Sequence, residues 1–527
     1  MIGTSTAEYF FIRICILFLH NIAPISVLYC IQLLVVQFFH LPNYAERTPY
    51  AVQIWLTAEA VFFTTVYIPL TYTLYHSPIC HRSLSAEFRE NLFRKCNKSV
   101  PNLEKYLSQW LMVSDAECIK RDNVKDFIRW SLFGPEHTQE QDQQNEREIE
   151  AYTTELEKLI GRKLSSGRID VKGLGRLLNE AGGSHRSLLW YGVSYLSLSL
   201  SLCCVFVVDT IMYCTMLYNG FHFYRNSLSR FFTLFPFRPL TILTAYRSPA
   251  RHLTYWHRRH TSKKRLPVLF IHGIGIGLYP YTIFLRDLVE QLQAGTTADS
   301  EVGIIALEIM PISSRITHPA LEKEVMVCEI MEIIRYHGWS KFVLVSHSYG
   351  SIIAAHLHKS DQFAPLIGPT VFIDPVSFLL HLPDVAYNFI ARPPARANEY
   401  QLWYFGSQDI GVAHTLAKRF SWIDNIIWKE DFGIKAEKDQ HAGRNVTVVL
   451  SGKDLIVDTE TVGQYLMGSS EVRAIDKEAA QPWKNRPWIG YGLELLWFEQ
   501  LDHAQVFDFG NTRQPVIEAI CAYSKQG

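Results

Sequence analysis

Ser348 lies in the stretch KFVLVSHSYGSIIAAHLH, residues 341–358. A short β-branched run reaches Ser346-His347-Ser348-Tyr349-Gly350, and an apolar, alanine-containing helical pattern follows. Strand, sharp turn and helix is an order that exposes a serine oxygen, because small residues two before and two after it let the backbone fold tightly. Ser348 is therefore the candidate nucleophile. A serine attacks a carbonyl only when a base stands within hydrogen-bond reach and a third group orients that base. The rival reading of Ser-x-Ser-x-Gly alone is a serine-rich loop. Two later residues have suitable settings. Asp454 follows the strand-like NVTVVL, and His503 follows the strand-like LELLWF. After Asp454 the chain contains no histidine except His503. Asp454 could instead cap the next helix, and His347, beside the serine, reads as a packing residue.

The elements that must position these groups are legible. Residues 267–277, PVLFIHGIGIG, read as a buried strand running into His272-Gly273-Ile274-Gly275. Alternating glycines would also suit a nucleotide loop, but neither the Gly-Lys-Ser/Thr of a P-loop nor the GxGxxG spacing is present. Helix is expected over 279–293, strand over 302–309, amphipathic helix over 319–336, then the serine turn. A strand over 370–373 ends in Asp374-Pro375, and a terminal helix is expected over 515–523. Strand alternating with helix predicts an α/β, doubly wound, mainly parallel sheet. The Phe-, Leu-, Tyr- and Trp-rich stretch of about 376–444 breaks the alternation and is expected to form a cap.

The chain has 527 residues and a formal net charge of zero, so nothing suggests a nucleic-acid partner. Apolar residues make up 48%, which excludes general disorder. Ten cysteines occur without a CxxC pair, which fits packed thiols better than a disulfide framework or a metal site. Residues 9–39 and 51–75 are apolar runs long enough to cross a bilayer. A third run, 188–218, contains Asp209, expected near a helix end or facing another span. The expected division is two transmembrane helices in 1–76, a polar helical domain of unread role in 77–186, and a third membrane or membrane-dipping helix in 187–220. A basic aromatic linker in 221–265 and a catalytic domain in 266–527 complete it. The linker could lie on anionic headgroups or hold the first strands of the sheet. The expected setting is an integral membrane protein of the endoplasmic reticulum or another internal membrane, with the bilayer as partner.

Residues from about 266 to 527 resemble the α/β-hydrolases of the serine esterase and lipase type, with an α-helical transmembrane region ahead of them. The resemblance rests on the serine turn, the His-Gly loop and the chain order Ser, acid, His. It implies Ser348 as nucleophile, His503 as base and Asp454 as the acid, with Asp374 as the alternative, since some lipases place the acid one strand earlier. It further implies an oxyanion hole from the N–H groups of Ile274 and Tyr349, set by the loop of His272, Gly273 and Gly275. The sequence departs from the family where Ser346 replaces the first glycine of the turn. Ester hydrolysis through an acyl-enzyme, without metal or organic cofactor, is the implied activity. Membrane anchorage points to a lipid or other lipophilic acyl ester. An acyltransferase with the same triad and a non-catalytic membrane scaffold are the alternatives.

Overall fold

A computed structural model gives the architecture and describes residues 3–42, 47–77, 84–133, 139–191, 205–294, 300–433, 444–468 and 482–526. Eight strands form one sheet: β1 His222–Tyr224, β2 Thr254–Arg258, β3 Val268–Ile271, β4 Ile304–Glu308, β5 Phe342–His347, β6 Ile367–Ile373, β7 Val446–Ser451 and β8 Leu493–Phe498. Their order is β1-β2-β4-β3-β5-β6-β7-β8. β2 runs antiparallel to both its neighbours, and every pair from β4 to β8 is parallel. Side chains alternate between two cores, as a pleated strand requires. Leu269, Ile271 and Leu344 pack with helices Lys323–Tyr336 and Gly350–His358, while Val268, Phe270 and Val345 pack with Thr282–Gln293 and Gly510–Ser524. The doubly wound sheet expected from the alternation is therefore present, and its parallel strands end on one edge.

The sheet begins within the basic aromatic stretch, as the second of the two readings given for it expected. β1 and β2 lie within 221–265, the expected linker, so the catalytic unit starts near His222 and not near residue 266. A three-residue strand carries little periodic signal, and the charges around β2 mislead. His257 is buried in ring contact with His337, centroids 3.8 Å apart, and burial together with that neighbour pushes its pKa down to about 3. It acts as an aromatic core residue.

Residues 84–133 and 139–191 build helices onto the cap. Ala86–Lys98, Leu103–Leu111, Arg121–Leu132 and Gln139–Ile160 are amphipathic. Their buried Leu92, Phe93, Leu107 and Ile128 join the same core as Leu380 and Trp428. Trp110 Nε1 donates to the His381 carbonyl at 3.0 Å, and Trp422 Nε1 donates to the Ser131 carbonyl at 2.9 Å.

Two helices, Thr6–Phe39 and Tyr50–Tyr75, are long and apolar enough to cross a membrane. They pack on each other and against the body. Buried Glu59 accepts hydrogen bonds from the Leu188 N–H at 2.7 Å and lies 3.2 Å from His185 Nε2. Of the expected third segment, residues 192–204 lie outside the described residues. The described helix Val205–Tyr218 has 14 residues, about 21 Å. Its Met212, Tyr213 and Met216 pack with Phe223 and Trp256.

Asp209 does not face another span. It pairs with Arg315, and Arg238 Nε stands 3.6 Å away. Arg238 in turn holds Glu308 through two bonds of 2.8 and 2.9 Å. Two buried cations and two buried anions thus join the helix to the end of β4. Removing one partner strands a buried guanidinium, so Asp209→Ala is expected to cost about 3–5 kcal/mol. A thermal unfolding midpoint unchanged from the unmutated protein would refute this.

Candidate active site

Ser348 follows β5 with φ 50°, in the left-handed region that side-chain-bearing residues rarely occupy. The turn depends on close backbone contacts. A Cβ on Gly350 would lie 2.4 Å from the Ile271 carbonyl oxygen, and one on Gly273 would lie 2.7 Å from Ser348 Cβ. Ser346, in place of the usual glycine, is accommodated inside β5 opposite Ile271 and Phe372, with its hydroxyl buried and unpartnered among the described residues. The Ser348 N–H donates to the Ile373 carbonyl at 3.0 Å, which ties the turn to β6.

Ser348, Asp454 and His503 meet at the carboxyl ends of β5, β7 and β8. Ser348 Oγ lies 2.8 Å from His503 Nε2, and His503 Nδ1 lies 2.7 Å from Asp454 Oδ2. The helix that Asp454 could have capped, Thr459–Met467, is capped by Asp458, whose side chain accepts from the Thr461 N–H at 3.1 Å. Asp454 Oδ1 instead holds its own turn, accepting from the N–H groups of Ile456 and Val457 at 2.7 and 3.0 Å. Asp374 sits elsewhere in the same cluster. It follows β6 at φ 41°, and its Oδ2 accepts from the Ala504 N–H at 2.8 Å. Asp374, Asp454 and His503 bring one ligand-type atom each within 4.8 Å of one another. Both nitrogens of His503 are already engaged with Ser348 and Asp454, so this trio reads as a proton-handling cluster and not as a metal centre. Burial pushes Asp374 up to about 7. Burial works against the charged imidazole of His503, but the nearby charges of Asp454, Asp374 and Asp502 outweigh it and raise its pKa to about 9.

The glycine loop packs on the serine turn. Tyr281 Oη accepts from the Gly273 N–H at 3.2 Å and stands 2.8 Å from His347 Nδ1, so one hydroxyl joins loop to turn. His347 is buried, and burial holds its pKa well below the ordinary value, which leaves it a neutral packing residue. His272 contacts the Gly273 carbonyl and accepts from the Ile309 N–H at 3.0 Å. The loop is held further by the Gly275 N–H, which donates to the Ile312 carbonyl at 3.1 Å. The backbone N–H groups of Ile274 and Tyr349 make no hydrogen bond among the described residues, and both residues line the cavity that opens at Ser348.

That cavity holds about 1280 Å³ including its open mouth. Phe389, Phe420 and Trp422 come from the cap, and Trp110, Trp130 and Phe133 come from the helices ahead of the sheet. A serine aligned with an imidazole and a carboxylate at the mouth of an apolar chamber is equipped for nucleophilic acyl transfer. The strand order with β2 antiparallel, the serine turn after β5, the cap between β6 and β7 and the histidine after β8 together decide the fold. It is the α/β-hydrolase fold.

Solved structures with this fold are similar to the chain at low identity. A bacterial membrane phospholipase A matches at 11% identity over 60% of this chain and 91% of its own, with TM-score 0.36. Naproxen esterase from Bacillus subtilis matches at 9% identity over 59% and 96%, with TM-score 0.34. A carboxylesterase study of the thaumarchaeon Nitrososphaera gargenis supplies a third, at 12% identity over 52% and 96%, with TM-score 0.32. No family model matches the chain, and no curated protein does.

Several groups in this α/β-hydrolase site carry no sequence signal of their own. The cap segment 388–398 grips both acid-bearing loops. Asn388 Nδ2 donates to the Ile456 carbonyl at 3.0 Å, and Arg392 donates to the Leu455 carbonyl at 2.9 Å. Asn398 Nδ2 donates to Asp502 Oδ2 at 2.8 Å, while Asp502 Oδ1 accepts from the Leu455 and His503 N–H groups at 3.0 and 2.7 Å. A signal was available for Asp502, which stands beside the lone late histidine. For Asn398, 104 residues away in sequence, there was none. Asn398→Ala should loosen the His503 loop and slow phosphonylation of Ser348 by a fluorophosphonate roughly ten- to a hundredfold, with the thermal midpoint little changed. An unaltered rate would show that this contact does not position the histidine.

Proposed function

We propose that the protein is a membrane-anchored serine hydrolase that cleaves a carboxylic ester of a lipid or other lipophilic acyl compound through an acyl-enzyme. The observation that carries this reading is the Ser348–His503–Asp454 hydrogen-bonded line at the mouth of an aromatic, apolar cavity. Hydrolase and esterase relatives of the same fold, and a membrane phospholipase among them, accord with it.

In this mechanism neutral His503 takes the Ser348 proton at Nε2 as Oγ attacks the ester carbonyl carbon. Asp454 holds the Nδ1 proton and stabilises the imidazolium. The free N–H groups of Ile274 and Tyr349 receive the developing oxyanion. Collapse breaks the carbon–oxygen bond to the alcohol, which leaves with the proton from His503. Water then attacks the acyl-Ser348 ester by the same route, and the carboxylic acid is released. The apolar cavity accepts the acyl chain and keeps bulk water from it. The helices Thr6–Phe39 and Tyr50–Tyr75 would hold the enzyme at the membrane that supplies such a substrate.

Labelling of membranes with a fluorophosphonate tests the reading directly. The unmutated protein should label and Ser348→Ala should not. A folded unmutated protein that fails to label would remove the hydrolase reading and favour a scaffold.

The charge around His503 gives a second test. The base is active when neutral, so activity falls as pH drops through its pKa. Each nearby carboxylate raises that pKa. Asp374→Asn removes one negative charge and should therefore move the acid limb of the kcat/KM profile to lower pH. A limb that stays in place would exclude Asp374 from the electrostatics of the base.

A further inference from the structure

The segment between β1 and β2 exposes an unusual amount of apolar surface. Phe232 is 76% and Leu243 is 78% exposed, and Leu228, Phe237, Ile242 and Tyr246 are exposed beside them. Residues 222–265 contain ten Lys and Arg and no Asp or Glu, and Arg247 and Arg251 are exposed next to the apolar side chains. The surface continues from the second apolar helix. Phe62 of that helix meets Phe235 with ring centroids 5.5 Å apart, Phe235 meets Phe237 at 5.9 Å, and Phe237 meets Phe232 at 6.1 Å.

Depth follows from helix geometry. The 13 residues of Tyr50–Phe62 cover about 18 Å from the start of that helix, against a hydrocarbon layer of about 30 Å. Arg47, three residues ahead of the helix, favours the far headgroups over the bilayer interior. With Tyr50 at that far boundary, Phe62 would lie roughly 12 Å inside the near boundary of the hydrocarbon, and its ring neighbour Phe235 close to that depth.

We propose that the loop 228–246 is a third membrane contact, with Leu228, Phe232, Phe237 and Leu243 in the near leaflet and Arg247 and Arg251 on anionic headgroups. This rests on the membrane anchoring in the proposed function and adds the face by which the catalytic unit lies on the bilayer. Aromatic and aliphatic side chains beside arginines on an acid-free segment are the composition of an interfacial membrane contact. Held this way, the body is seated on the bilayer surface and does not swing from two tethers.

The full chain reconstituted in phosphatidylcholine bilayers containing a diazirine-tailed phosphatidylcholine tests this, with adducts mapped by mass spectrometry after photolysis. Adducts on 228–246 as well as on 6–39 and 50–75 are expected. Added phosphatidylserine should increase the loop adducts, and Arg247→Glu with Arg251→Glu should cancel that increase. Adducts confined to the two helices would overturn the proposal while leaving the anchoring intact, whether or not copies of the chain cross-link through this loop. Absence of adducts on the helices would overturn the anchoring as well. Loop adducts indifferent to phosphatidylserine would overturn the headgroup assignment.

Discussion

A serine held at φ 50° sits in backbone that costs about 1–3 kcal/mol relative to an ordinary conformation. The hydroxyl faces the cavity only while that conformation is maintained. Three parts of the fold maintain it: the bond from the Ser348 N–H to the end of β6, the approach of Gly350 to the end of β3, and Ser351 Oγ, which donates to the Ser348 carbonyl at 2.6 Å and accepts from the Val376 N–H at 3.1 Å. Val376 opens the cap, so the strained turn is clamped from the sheet and from the insertion together. Strained backbone recurs at Asp374 and Ala504, beside the same histidine. The rigid sheet ends from which these loops leave can support such strain.

The electrostatics of the site follow from where those strands end. β6, β7 and β8 deliver Asp374, Asp454 and Asp502 around His503, and the cap and the preceding helices shut out much of the solvent. Three carboxyl groups in a buried space cannot all ionise without a cation, and His503 is the cation within reach. The imidazole is therefore biased toward its charged form. The other histidines of the region are biased the opposite way. His272 and His347 are buried without a carboxylate contact, and burial lowers both. Similar side chains are thus divided between proton transfer and packing by their charged neighbours alone.

Much of this was readable from the chain, and the limits have physical causes. Strands β3, β5 and β8 announce themselves because a buried parallel strand is a run of apolar residues bounded by turn formers. His503 was identifiable because no other histidine remained late enough in the chain. The choice between Asp454 and Asp374 was harder, since both follow strands and both sit beside His503. Which one faces Nδ1 depends on the conformation of the loops that carry them. The cap share of the cavity roof was legible as an insertion, but the share given by the helices ahead of the sheet was not. The helical periodicity of 86–132 says that one face is buried and is silent about its partner, so nothing marks Trp110 and Trp130 as neighbours of Ser348. The first strands were left as one of two readings of 221–265 because three residues, as in β1, are too few for a period.

The cap explains how an apolar chamber and an apolar hairpin belong to one molecule. Residues 410–419 form a short helix that passes into a π turn, an irregularity common where a helix must serve two surfaces. On one side His414 Nε2 stands 2.8 Å from Ser77 Oγ at the end of the second apolar helix. On the other side Leu416 and Ala417 line the cavity. One helix, about 10 Å across, is all that separates the chamber from the hairpin there. A second tie runs from the first apolar helix, where Arg13 donates to Tyr400 Oη at 2.6 Å, two residues from the Asn398 that holds Asp502. Both helices of the hairpin therefore rest on cap elements whose far sides touch the cavity or the histidine loop. The same cap elements thus bear on the hairpin with one side and on the cavity or the histidine loop with the other, so a displacement of the hairpin is passed to the site through a single layer of helix.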